Sequence, residues 1–370
     1  MRVGITGHTG FIGYHLKNTI LYKIQNYNLD LLGKADFKSQ EKLQEFTQRN
    51  DVIVHLAGIN RDDNEEYIFE ENIDLTKKII ESAESVNFKG KVIFASSTQF
   101  ELNTSYARAK KKCTEMFLKS SKKNNYKFTS LIIPNVFGPF CKPNYNSFIA
   151  TFSDNLLKQK PIKIDSKHKI PLIYVDNLIF EILDEIESKS SHIKKISPDI
   201  KITPKEVGDL LKLFHKSYLK EKILPKFNSR FEEMLFYTFI SYINIEEYFP
   251  ISHPKHEDNR GFFSEIIRLN GQAQFSFSTT NKDITRGDHF HTRKIERFTV
   301  IKGEALIKIR KIGTKKVIEY KMGKSLPSSV DMFPWHTHNI QNIGNEELIT
   351  LFSINEHFDN NDPDTYHEKV

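Results

Sequence analysis

The stretch Arg2-Val-Gly-Ile-Thr-Gly7-His-Thr-Gly10-Phe-Ile-Gly13 decides the fold of the first part of the chain. Arg2–Thr6 reads as a short buried strand, and a helix is predicted from about Phe11. Between them Gly7, Gly10 and Gly13 form a GxxGxxG loop. Glycines there let the backbone approach a pyrophosphate, and the first helical amides then point at it. Gly7, Thr9, Gly10, Phe11, Ile12 and Gly13 are the candidate nucleotide-binding residues. Glycine spacing alone suits any tight turn; the strand before and the helix after select the nucleotide reading.

Outward from this loop, residues 28–32, 51–56, 91–95 and 128–133 read as strands, and residues 72–85 have helical apolar spacing. Strands alternating with helices predict an α/β Rossmann-like, doubly wound parallel sheet. About twenty residues past Gly13 an NAD enzyme places an acid for the ribose. This chain has Gly33-Lys34 instead, and Lys34 suits the 2′-phosphate of NADPH. The competing reading makes Lys34 a surface residue and gives the ribose to Asp36.

The length of 370 residues predicts about two domains. A composition 38% hydrophobic and 12% aromatic excludes a disordered chain. The net charge of +7 reads as a lysine-rich surface, or as attraction for acidic small molecules. The lysine runs 110–112 and 122–123 are short and lack interleaved aromatics, so no nucleic-acid partner is expected. Two cysteines, Cys113 and Cys141, make no disulfide framework and suit a reducing, cytoplasmic compartment. Residues 1–7 show no apolar leader, and the densest apolar patch, 234–243, is too short to span a bilayer, so no membrane partner is expected.

Ser96-Ser97-Thr98 follows the strand 91–95, and Tyr106-Ala-Arg-Ala-Lys110 follows in turn. Tyr106 and Lys110, four apart, share one helix face. A neighbouring ammonium and an oxidised nicotinamide ring both favour the phenolate. The set Ser97, Tyr106 and Lys110 suits hydride transfer at a carbonyl, with Ser97 holding the substrate oxygen and Tyr106 the general acid of reduction.

With these motifs, residues 1–245 resemble the extended short-chain dehydrogenase/reductase family, which works mostly on nucleotide sugars. His55-Leu-Ala-Gly58 matches the family's cofactor-side loop, which adds Leu56, Ala57 and Gly58 to the cofactor residues. Pro134-Asn135-Val-Phe-Gly138-Pro139 matches its substrate-side loop, and Tyr174-Val-Asp176-Asn177 a later motif. The resemblance makes Asn135, Lys142, Asn144 and Asn146 candidates for the substrate's diphosphate or uridine; turn capping is the alternative for the asparagines. Sugar dehydratases of the family carry an Asp-Glu pair where this chain has Thr98-Gln99, so dehydration is disfavoured. A reductase and a 4-epimerase remain open.

From about Pro250 the pattern changes to short alternating runs broken by turns, which predicts an antiparallel all-β sandwich or barrel. The boundary is expected in residues 248–259, giving domains 1–247 and 248–370. Here Arg286-Gly-Asp-His289-Phe-His291 places two histidines on one side of a strand. Glu296 follows, and Phe333-Pro-Trp-His336-Thr-His338 brings a further histidine from a turn. Three imidazoles and a carboxylate hold a divalent metal with positions left open.

This arrangement resembles the cupin family, with a jelly-roll barrel and a ligand set of His289, His291, Glu296 and His338; zinc is the expected ion. His336 is the fallback ligand or a substrate contact. The cupin segment PxGxxH has Trp335 in place of its glycine, with the proline displaced to Pro334. Asp258-Asn-Arg260-Gly-Phe-Phe-Ser-Glu265 is similar to the entry strand of cupin-fold sugar 3,5-epimerases, making Arg260 a phosphate contact and Glu265 a sugar contact; an ordinary first strand is the alternative.

A reductase followed by a cupin resembles the bifunctional enzymes of the UDP-N-acetyl-L-fucosamine pathway of capsule and O-antigen synthesis. That resemblance implies C3 epimerisation of a UDP-4-keto-6-deoxy-N-acetylhexosamine in the cupin. NADPH-dependent reduction to UDP-2-acetamido-2,6-dideoxy-L-talose follows in the other domain. His289, His336 and Lys294 are the candidate proton carriers of the epimerisation. The resemblance also implies a homodimer through the cupin. The alternative is a UDP-sugar reductase or 4-epimerase whose cupin is purely structural.

Overall fold

The computed structural model describes residues 1–370 except 25, 99–102, 165–166, 253–255, 259–260, 264–267, 270–273, 324–327, 357–358 and 360. The chain divides into two compact units. One comprises residues 1–152 and 163–207, the other 153–162 and 208–370. The division falls at 207, before the expected boundary at 247, and the second unit shows why.

The first unit is built on a six-stranded sheet. Its strands are β1 (Arg2–Thr6), β2 (Asn28–Leu32), β3 (Val52–His55), β4 (Lys91–Ser97), β5 (Lys127–Ile133) and, after the short β6 (Asn135–Phe137) and β7 (Ile170–Tyr174), β8 (His192–Lys195). All neighbours pair in parallel, in the order β2-β1-β3-β4-β5-β8. Strand order reverses at β1, so a crevice opens between β1 and β3 at their carboxyl ends, where open α/β sheets bind ligands. The sheet is covered on both faces, as a parallel sheet requires. Val3, Ile5, Val52 and Val54 pack on one side with α1 (Phe11–Lys23). Ile53, Val92 and Phe94 pack on the other with α2 (Gln40–Arg49), α3 (Glu65–Ser85) and α4 (Ser105–Asn124).

Among α1 to α4, helix starts follow ordinary capping chemistry with one exception. Ser39, Asn64 and Thr104 accept first-turn amides of α2, α3 and α4. Helix α1 begins at Gly10, with no side-chain cap. Its first amides are left for something else.

The second unit carries two five-stranded antiparallel sheets. One has the order Ile251–Ser252, Ser328–Met332, Glu296–Lys302, Leu348–Ile354, Gln274–Thr280. The other runs Val317–Met322, Ala305–Lys311, His336–Asn342, Thr285–Phe290, Tyr366–His367. The ring of Phe298 from the first sheet meets that of His338 from the second edge-on at 5.7 Å, so the sheets face each other. Three of these strands, 285–290, 328–332 and 336–342, are too polar to stand out in the sequence.

Helical residues 208–248 belong to this unit. Arg297, fully buried, donates to both carboxylate oxygens of Asp331 at 2.6 and 2.9 Å. The Tyr218 hydroxyl donates to the same carboxylate. Tyr320 donates to the Ile245 carbonyl, and Asn355 donates to the Tyr237 hydroxyl at 3.1 Å. These contacts tie the helical segment to the sheets, which the composition shift near Pro250 conceals.

Candidate functional sites

The crevice at β1 is a cavity of about 510 Å³. The glycine loop forms one wall, since Gly7, Thr9, Gly10, Phe11, Ile12 and Gly13 all line it. Gly7 has φ +70, and a Cβ there would come within 2.6 Å of the Ala57 nitrogen. A Cβ on Gly13 would lie 2.2 Å from the Gly7 carbonyl oxygen. The loop is therefore closed to side chains, and the uncapped amides of α1 face a cradle suited to a pyrophosphate. The nucleotide portion of a nicotinamide cofactor fits these residues.

Leu56 and Gly58 line the cavity, whereas Ala57 turns its N–H to the Thr6 hydroxyl at 3.2 Å and stays out of the lining. Asn72, buried in α3, holds this loop from behind. Its amide donates to the carbonyls of Ile59 and Ile68, each at 2.6 Å, and its oxygen leaves no space for a Cβ at Gly58. Sequence reasoning missed Asn72; the signal was an amide inside an apolar helical stripe.

Ser97 at the end of β4, with Tyr106 and Lys110 on α4, lines the same cavity. The Lys110 ammonium lies 5.6 Å from the Tyr106 ring centroid and 4.6 Å from that of Phe94. Burial pushes Lys110 down to about 8 and holds the Tyr106 phenol above its ordinary value. For the Tyr106 phenol, burial is the largest influence. A protonated phenol is the state a general acid needs.

On the substrate side, Asn135, Lys142 and Asn146 line the cavity, joined by Cys141, Tyr145 and Ser147. Asn144 sits at φ +55 outside the lining, its N–H donating to the Thr151 hydroxyl at 3.0 Å. This is the turn role that asparagine performs well. His15 places the substrate-side loop on α1, with Nε2 2.9 Å from the Pro139 carbonyl and Nδ1 3.7 Å from Asp176.

Lys34 is exposed on the turn after β2 and does not line the cavity. Asp36 accepts the Gly33 N–H at 3.0 Å and pairs with Lys42 at 2.7 Å, which hold its carboxyl below the usual range. Arg260 and Glu265 lie outside the described residues.

The barrel holds the second constellation. His289, His291, Glu296 and His338 present ligand atoms that all lie within 4.8 Å of one another. A bulge between Gly287 and His289, with Asp288 at φ +55, shifts the register so that His289 pairs with His338. Glu296 reaches in from the opposite sheet. Its Oε2 is 3.3 Å from Nε2 of both His291 and His338, and 4.0 Å from that of His289. Burial pushes the Glu296 carboxyl up, but the two nearer imidazoles outweigh it and hold it well below the carboxylate range. Burial and the neighbouring imidazoles push His289 down to about 4.

The outer nitrogens of two of these imidazoles are occupied: His291 Nδ1 contacts the Asp364 carbonyl at 2.6 Å, and His338 Nδ1 the His336 carbonyl at 3.2 Å. Their Nε2 atoms are buried, aimed inward, and make no hydrogen bond of good geometry. Inward lone pairs with outer N–H groups anchored are what a divalent metal requires, so the quartet fits one.

His338 sits in a strand; the turn is at 333–335. There Trp335 takes φ +61, the left-handed conformation a glycine would adopt most easily. His336 turns its Nδ1 to the Pro334 carbonyl at 3.0 Å and stands outside the quartet. Lys294 donates to the Pro363 carbonyl at 2.7 Å.

The profile of the NAD dependent epimerase/dehydratase family matches residues 3–192, and that of the polysaccharide biosynthesis C-terminal domain matches 256–366. The chain belongs to the NAD dependent epimerase/dehydratase family, with this second domain appended. Along its full length it is similar to the capsular polysaccharide assembling protein CapF of Staphylococcus aureus. That structure is 29% identical, with a TM-score of 0.62 and 100% of each chain covered. It is also 31% identical to the UDP-2-acetamido-2,6-beta-L-arabino-hexul-4-ose reductase of Pseudomonas aeruginosa, over 99% of this chain and 98% of that one. The UDP-glucose 4-epimerase of Thermotoga maritima, 19% identical with a TM-score of 0.53, covers 58% of this chain and 82% of its own, a likeness of fold. Among the described residues, no helix is long and apolar enough to cross a membrane.

Proposed function

We propose that the chain reduces a UDP-4-keto-6-deoxy-N-acetylhexosamine with NADPH in its first unit, after epimerising carbon 3 in its barrel. The product is UDP-2-acetamido-2,6-dideoxy-L-talose, a precursor for polysaccharide. The observation that carries the reduction is the convergence of Ser97, Tyr106 and Lys110 with the glycine cradle in one cavity. The full-length likeness to a 4-keto-sugar nucleotide reductase supports the substrate class.

NADPH supplies the hydride that adds to carbon 4. Tyr106 donates the proton to the carbonyl oxygen, Ser97 holds that oxygen beside the phenol, and Lys110 holds the ribose side and restores the phenol's proton. The preference for NADPH rests on Lys34, exposed on the turn after β2, with Asp36 already paired to Lys42.

In the barrel, the 4-keto group acidifies the proton on carbon 3. A base removes it and the enolate is reprotonated on the other face. A metal, zinc on this reading, supplies fixed positive charge when held by His289, His291, Glu296 and His338. His336 and Lys294 remain the candidate proton carriers; His289 has its ring committed to the quartet. Assembly as a cytoplasmic homodimer through the barrel belongs to the same proposal, and sedimentation tests it.

The decisive experiment incubates the protein with the 4-keto sugar nucleotide in deuterated water, with and without NADPH, and follows products by NMR. One NADPH oxidised per sugar and deuterium at carbon 3 are expected. No NADPH oxidation overturns the reductase. Oxidation without deuterium at carbon 3 leaves a reductase with a structural barrel.

A further inference from the structure

Residues 362–370 supply none of the four clustered side chains, yet they touch His291, the strands of His289 and His338, and the loop that leads to Glu296. Asp364 is 2% exposed. Its carboxylate accepts three successive backbone N–H groups, from Thr292 at 3.1 Å, Arg293 at 2.9 Å and Lys294 at 3.2 Å. It also accepts the Thr292 hydroxyl at 2.6 Å. Its carbonyl meets His291 Nδ1 at 2.6 Å. Tyr366–His367 pairs with the strand of His289, setting His289 opposite His367. The Tyr366 ring stacks on Phe290, and Phe290 stacks on Trp335. The Trp335 backbone N–H donates to the His291 carbonyl at 2.7 Å.

The loop 292–295 has one geometric task, to join His291 on one sheet to Glu296 on the other. Left to itself, a loop with consecutive inward amides has no partner for them. A single buried carboxylate satisfies all three amides and sets the separation of the two ligands. The carbonyl of the same residue accepts a proton from Nδ1, which leaves the His291 Nε2 lone pair facing the quartet.

We infer that Asp364 is the positioning residue of the barrel site, so that divalent-metal affinity depends on the seating of residues 362–370. This rests on reading the quartet as a metal site, and the experiment separates the two. The full-length protein and its Asp364→Ala, Asp364→Asn and Thr292→Val variants are titrated with zinc against a chromophoric chelator. The cobalt-loaded forms are compared by visible absorption, which reports the ligand set. Asp364→Ala is expected to weaken zinc binding about 10- to 100-fold. Asp364→Asn and Thr292→Val are expected to weaken it less, and the cobalt spectrum to shift in the same order. If Asp364→Ala does not fold, Asp364→Asn and Thr292→Val decide. Parent affinity and spectrum in the folded variants overturn the inference while leaving the metal reading intact. Failure of the parent itself to bind zinc or cobalt overturns both.

Discussion

The two sites of this chain are built from opposite materials. The cavity of the first unit is walled by backbone: glycines with no room for a Cβ and a helix whose first amides have no cap. The barrel site is walled by side chains: three imidazoles and a carboxylate brought from two facing sheets. A backbone site recognises what all nucleotides share, and it tolerates change wherever a side chain merely points past it. A side-chain site depends on each member, and on the loop and strand registers that aim them. The helices 208–248 sharpen the contrast. They are locked to the barrel unit by a buried Arg297–Asp331–Tyr218 cluster.

The largest expected effect tests the division of labour. Tyr106→Phe removes the only proton donor proposed for reduction, so NADPH oxidation falls about a hundred- to ten-thousand-fold. Deuterium exchange at carbon 3, assigned to the barrel, continues at the parent rate. Loss of both by the same factor breaks the assignment of two separate sites.

The next test addresses the lock. Arg297→Met leaves the Asp331 carboxylate buried without its cation and costs about 3–5 kcal/mol of stability in denaturant melts. The double variant Arg297→Met, Asp331→Leu recovers most of that loss. A single variant as stable as the parent removes the cluster from the account.

A smaller effect concerns Lys110. Its folded value of about 8 lies below the usual 10.5, the reverse of the ordinary lysine case. Below about pH 8 both states are protonated, and the folded state bears the full burial penalty. Between these values the unfolded chain holds a proton the folded chain has released, so stability rises with pH. Lys110→Met, melted without cofactor, is expected to exceed the parent most below pH 8, the advantage fading toward pH 10.5. An advantage independent of pH removes the buried ammonium as its source. The smallest effect is at Asn144. Asn144→Gly keeps the left-handed turn and leaves KM for the sugar nucleotide unchanged, whereas Asn146→Ala raises it. Equal effects would return Asn144 to the substrate site.

The same contrast explains what the sequence discloses. The glycine loop announces itself because only glycine fits where Gly7 and Gly13 pass so close to backbone. Tyr106 and Lys110 are legible because one helical turn separates them. The quartet is legible as residue types, but its geometry is not. The bulge at Asp288 and the seating of Asp364 depend on partners 51 and 72 residues distant, Asn339 and Thr292. The polar strands 285–290 and 336–342 escape any hydrophobic pattern because they carry clustered histidines and other polar side chains instead. Arg297 and Asp331 read as surface charges until the register places them opposite each other.

Trp335 is the sole tryptophan of the chain. It is fully buried, stacked on Phe290, and its backbone N–H donates to the carbonyl of His291. Intrinsic fluorescence excited selectively at tryptophan therefore arises wholly within the barrel unit, beside the quartet. The protein carries its own optical label in the barrel unit, placed to follow the quartet as it fills, empties or melts.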